Sequence, residues 1–207
     1  MNKFRVLLLC MLTLLLAGCD NNDEYATQLE LLTSDGSVIE GILERRYDLG
    51  VSIDKVIAGT DNTSAFATLD KDGSTYQVIV EHDTGIVYDK YGKVLYEEEI
   101  ERMINEALDK ASSVPSNNIN YNIYYVYSMS NEYMSSIEDY INHGYVNVNI
   151  EFDAWIAFEE LWQVMQTLNE YNIKYEISQM NAVDANYVIT SETPINSVED
   201  LTDYVLH

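Results

Sequence analysis

The sequence predicts an α+β fold built as two small domains, each a mostly antiparallel sheet covered by helices. Three observations carry this prediction. The hydrophobic period switches from the helical 3.6 to the strand period of 2 and back, twice along the chain. The runs of period 2 are short and joined by turn clusters such as Lys71-Asp72-Gly73-Ser74 and Asp83-Thr84-Gly85, which mark hairpins. Between the two patterned regions, Ala111 to Asn122, ASSVPSNNINYN, combines Pro115 with a Ser/Asn cluster and reads as a linker. The resulting units are residues 34–112 and 113–207, and neither contains a repeat of fixed period.

In the first unit, Ser37 is placed to cap a helix running to Asp48, with Ile39, Ile42, Leu43 and Tyr47 on one stripe and Gly50 as its stop. Strands are then expected at 51–58, 65–69, 76–82 and 86–91. A helix over 97–110 follows, since Ile100, Met103, Ile104, Ala107 and Leu108 repeat at helical spacing. Its solvent face carries Glu98 with Arg102 and Glu106 with Lys110, both four residues apart.

The second unit reads β-α-β-α-β-β-α. Strands are expected at 121–129, 145–152, 174–180 and 187–191. The helix over 131–142 would turn Met134, Ile137 and Ile141 inward, and the helix over 155–171 would bury Phe158, Leu161, Trp162, Met165 and Leu168. Ser197, three residues before Asp200, opens the last helix with the spacing of a capping box in which Asp replaces the usual Glu.

The N-terminus has a different character. Lys3 and Arg5 precede an apolar run from Val6 to Ala17, a signal-peptide layout too short for the ~20 residues of a membrane-spanning helix. Leu16-Ala17-Gly18-Cys19 resembles the lipobox of bacterial lipoproteins at all four positions. That resemblance implies cleavage after residue 18 and a diacylglyceryl thioether on Cys19, with residues 19–33 as a polar tether. It places the body at the cell membrane, on its extracytoplasmic side, and acyl chains at about 0.8 kcal/mol per buried methylene hold it there.

The chain has 11 Lys and Arg against 35 Asp and Glu; without the Lys3 and Arg5 of the signal the balance is 9 to 35, or −26. Such a body lacks the basic footprint that nucleic acid demands, and anionic headgroups repel it, so the membrane is met only through the N-terminal lipid. The field is compatible with a cationic partner or bound cations, and solubility alone accounts for it. With Cys10 in the signal and Cys19 lipidated, the body has no thiol and no disulfide framework, and its stability rests on burial. In the first unit, the helix, the meander and the phrase TYQVIVEHDTGIVYDKYG resemble the PepSY-like and cystatin-like group of small extracytoplasmic modules. That resemblance implies scaffolding strands without catalytic residues, and a binding or inhibitory role.

No catalytic constellation, metal site or cofactor motif is read from the residues. His82 alternates with Glu81 and Asp83 and shares the face of Tyr76, Val78 and Val80; His143 sits at a helix end, where it complements the dipole. Asp70 to Ser74 lacks EF-hand spacing and reads as a tight turn. Glu97, Glu98 and Glu99 open a helix, and the neighbours Glu159 and Glu160 diverge around theirs. Trp155 and Trp162, seven apart, are expected on one helix face in the core. The candidate recognition surface is the strand YNIYYVYSM, with Tyr121, Tyr124, Tyr125 and Tyr127, because tyrosine offers contact area at low entropic cost with a polar tip. Alternation sends Tyr121, Tyr125 and Tyr127 to one face and Tyr124 to the other. The expected function is a lipid-anchored, non-catalytic binding, inhibitory or accessory module for a protein partner of the cell envelope. The alternatives are an acidic envelope hydrolase using carboxylates and a weak calcium-dependent module.

Overall fold

A computed structural model of the chain describes residues 36–129, 134–179 and 187–206. Cys19, the lipobox and the tether lie outside the described residues. The first helix, α1 (Gly36–Tyr47), buries Ile39 and Leu43. Its end falls at Asp48, whose φ of 54° takes the left-handed cap, two residues before the glycine expected to stop it. Four strands follow, β1 (Val51–Ala58), β2 (Asn62–Leu69), β3 (Thr75–Glu81) and β4 (Val87–Asp89), in an antiparallel meander of order β1-β2-β3-β4. Their alternation is clean: Ala65, Ala67 and Leu69 on β2 and Tyr76, Val78 and Val80 on β3 are buried, while Ser64, Thr75 and Gln77 turn outward.

The next helix, α2 (Tyr91–Leu108), starts six residues earlier than the apolar pattern indicated. Asp89 is the cause: its Oδ1 accepts from the Tyr91 amide at 2.9 Å, so the strand ends and the helix begins there. The second unit then runs through a 3₁₀ turn (Ser116–Asn118), β5 (Ile119–Tyr125), α3 (Ile137–Asn142), β6 (Val146–Phe152), α4 (Phe158–Glu170), β7 (Lys174–Gln179), β8 (Tyr187–Thr190) and α5 (Val198–Leu206). Sheet order is β5-β6-β7-β8, with β6 and β7 parallel and the other pairs antiparallel. The fold is thus α+β with two four-stranded sheets, one antiparallel and one mixed.

Helix α3 is shorter than the 131–142 expected, because Ser136 is its cap and its side chain accepts from the Asp139 amide. Ser197 accepts from the Asp200 amide at 3.1 Å, and Asp200 reaches back to the Asn196 amide, one residue beyond the usual target of a capping box. Helix α4 begins at Phe158, so Trp155 is not on it; Trp155 is exposed and rests edge-on against Phe158, contrary to its expected place in the core.

The buried residues form one contiguous cluster from Ile39 to Leu201 that draws on both units. Helix α2 packs on β3 and on α4, and Gly92 lies so close to Tyr140 of α3 that a Cβ there would be 2.2 Å from Cε2. The Tyr96 hydroxyl donates to the Met134 carbonyl at 2.7 Å, and Asp89 pairs with Ser128 in an isolated antiparallel bridge.

Candidate functional site

The Asp89–Ser128 bridge joins the end of β4 to the segment that follows β5, and the candidate site opens beside it. Asp89 and Ser128 exchange both backbone hydrogen bonds at 2.7 Å. After Asp89 the chain leaves the sheet for α2, with the Lys90 amide donating to Gln77 O at 3.0 Å as it goes. Thr75 to Gln77 of β3 therefore extend past the end of β4, across from β5. The space between them is a cleft of about 340 Å³, walled by Phe66, Thr75 and Gln77 on one side and Ile123, Tyr124 and Tyr125 on the other. Lys90 and Lys93, from the start of α2, complete it. A second cleft, about 300 Å³, continues along Ile119 and Tyr121 of β5 and the C-terminal end of α2 at Asn105 and Asp109.

The two clefts follow the free edge of β5, the outermost strand of its sheet. Val126 N donates to Tyr145 O and Asp153 N donates to Asn118 O, each at 2.8 Å, in register with the β5–β6 ladder. Antiparallel pairing alternates, so the even-numbered residues of β5 spend their backbone groups on β6, and those of Ile119, Tyr121, Ile123 and Tyr125 point away from it. The Ile119 amide turns back to the Ser116 carbonyl, and among the described residues no partner takes up the backbone groups of Tyr121, Ile123 and Tyr125. The strand carries no charge and no proline, features by which edges are usually blunted.

The four tyrosines of the expected recognition strand fall on this edge in different ways. Tyr124 is on the outer face and 52% exposed. Tyr125 is buried facing α2, its hydroxyl has no hydrogen-bond partner, and burial pushes its phenol well above the usual tyrosine range. Tyr121 is half-buried on the same face, with its hydroxyl 3.4 Å from Asn105 Oδ1. Tyr127, beyond the strand, is half-buried beneath Lys90, whose Nζ lies 4.5 Å from the ring centroid; Lys93 Nζ stands 5.6 Å from that of Tyr125.

Asp89 holds the corner together. Its side chain is fully buried; Oδ2 receives Arg46 Nη1 at 2.6 Å, and the Tyr47 hydroxyl donates to the same carboxylate at 2.8 Å. Arg46 also donates to the Val87 carbonyl at 2.8 Å. Burial pushes the Asp89 carboxyl above its ordinary value, against the opposing pull of the Tyr91 amide, Arg46 and Tyr47. Tyr47 and Tyr76 enclose the pair beside Tyr91, and burial next to that carboxylate raises both phenols. With the Asp89 carboxylate buried and bonded by Arg46, Tyr47 and the Tyr91 amide, this cluster fastens α1 to β4, and the bridge to Ser128 ties β4 to the segment after β5.

Elsewhere, the singled-out residues serve local geometry. His82 bonds Thr63 Oγ1 through Nε2 at 2.9 Å and the Thr60 carbonyl through Nδ1 at 3.0 Å. His143 donates from Nδ1 to the Asp139 carbonyl at the end of α3. Asp72 accepts from the Ser74 amide, with Gly73 at φ 74° completing the turn. Glu160 receives the amide and hydroxyl of Ser113 and the hydroxyl of Ser112, which hold its carboxyl below the usual range and tie the linker to α4. Among the described residues no group of three or more His, Cys, Asp or Glu is placed to hold a metal ion. Sequence reasoning missed Asp89, Lys90 and Lys93, though a signal existed: strand alternation puts Asp89 on the face of Val87, a charge at a core position. No family model, curated protein or solved structure matches the chain.

Proposed function

We propose that the protein is a lipid-anchored lipoprotein on the extracytoplasmic side of the cell membrane, whose body is a non-catalytic binding module for a protein partner of the envelope. The observation that carries the binding role is the uncapped edge of β5, with unspent backbone groups on Tyr121, Ile123 and Tyr125 between two clefts and Tyr124 exposed beside it. The chemistry of the clefts supports the same reading. No carboxylate lines the first and Asp109 alone lines the second, so neither offers the convergent acid pair that glycoside hydrolysis needs. The anchor rests on Leu16-Ala17-Gly18-Cys19, and no helix of the described residues is long and apolar enough to cross a membrane.

Two measurements test this reading. Metabolic labelling with a fatty acid marks the wild-type chain and not Cys19→Ser; an unlabelled wild type ends the claim of an anchor. Photo-crosslinkers placed one at a time over the surface of the full chain, in its own membranes, give a discrete adduct with an envelope protein. Absence of any adduct at every position overturns the binding role.

A further inference from the structure

We infer that the edge of β5 receives an extended segment of the partner as an added strand, and that this segment carries a carboxylate at the end that reaches Lys90. The inference rests on the binding role proposed above and names the chemistry of its ligand.

Three features fit together. The first is direction: the backbone groups of Tyr121, Ile123 and Tyr125 point out of the sheet along one line, which only another extended backbone can match in sequence. The second is space: the two clefts border that line from Ile119 to Tyr125, and in the first a new strand would continue the course that β4 abandons at Asp89, with β3 on its other side. The third is charge. In a chain of 35 acidic and 11 basic residues, the first cleft is lined by two cations and no acid. Lys93 is paired with Glu97 at 3.2 Å, but Lys90 makes no ion pair among the described residues and is held by the ring of Tyr127. Glu97 and Glu101 act on Tyr125 from α2, so Lys90 is the cation of the cleft left to favour an anionic group at that end. At the other end Asp109 disfavours one.

The probe is a capped octapeptide alternating valine and threonine with one terminal glutamate, offered to the full chain in detergent. It should slow hydrogen exchange of the Tyr121, Ile123 and Tyr125 amides by about tenfold or more and leave those of β8, the opposite edge, unchanged. Methylating the peptide nitrogens that face β5 removes their donors to the β5 carbonyls and sets methyl groups against the edge while keeping every side chain, and should abolish the protection. Lys90→Glu should weaken the glutamate peptide by about tenfold and favour its lysine counterpart, a swap that loss of structure would not produce. Protection at another surface, no protection at millimolar peptide, or indifference to N-methylation overturns the inference. If crosslinking captures an envelope partner through residues away from β5, the binding role stands and the added strand does not.

Discussion

At the scale of the residue, Asp89 and Arg46 decide the most. A buried ion pair is weak evidence for stability, but removing one partner leaves a charge with nothing to balance it. Arg46→Met should therefore cost about 3–5 kcal/mol at neutral pH. The pH dependence has a definite sign. Burial already raises the Asp89 carboxyl, and loss of Arg46 raises it further, so the folded chain binds that proton more tightly than the unfolded one. The deficit of the variant relative to wild type is full above the raised value. It closes as pH falls and is smallest below about 4, where the unfolded carboxyl also carries its proton. Urea titrations of both chains between neutral and acid pH measure this, and a deficit that is constant or grows toward acid contradicts it. Asp89 also marks where single-sequence reasoning stops: its position on a core-facing strand is legible, whereas its partners, 42 to 43 residues earlier, belong to tertiary packing.

At the scale of the element, helix and strand periods were legible wherever one face is buried and the other wet. All eight strands and the five helices of the described residues stand in the expected order, and β1 has the expected limits. Boundaries failed where a single contact overrides periodicity. Nothing in the pattern of 91–96 announces a helix, because Tyr91 and Gly92 begin it where the Tyr91 amide donates to the Asp89 carboxylate and Gly92 closely approaches Tyr140. That approach is testable. Gly92→Ala forces a carbon into the ring of Tyr140 and should cost about 1–3 kcal/mol although alanine is the better helix former. Tyr140→Ala alone opens a cavity, and the double variant should be less unstable than the two losses summed, since the alanine ring space relieves the clash. Additive losses in thermal unfolding would separate Gly92 from Tyr140. The free edge of β5 was illegible for a related reason: the tyrosines identify a strand, while its neighbour or lack of one is a property of the sheet.

At the scale of the whole molecule, the contiguous core and the Asp89–Ser128 bridge join the two units, which should therefore unfold together. Both tryptophans, Trp155 and Trp162, lie in the second unit, so their fluorescence follows that unit alone. Its thermal midpoint should coincide with that of hydrogen exchange at Ala65 and Val78 in the first sheet, and two separated midpoints would show the units melting independently. The parallel pairing of β6 with β7 has a further consequence, in time and not in stability. The first sheet is three consecutive hairpins, and each closes over a short loop as soon as its strands exist. β7 lies beside β6 only after the chain of α4 has crossed between them, a longer closure than any of the hairpins, and that crossover should be the slower event of folding. A chain emerging from the ribosome should therefore complete its first sheet while β6 still waits for β7, and alanine at Leu161 or Met165 on the buried side of α4 should slow refolding measured by stopped-flow fluorescence.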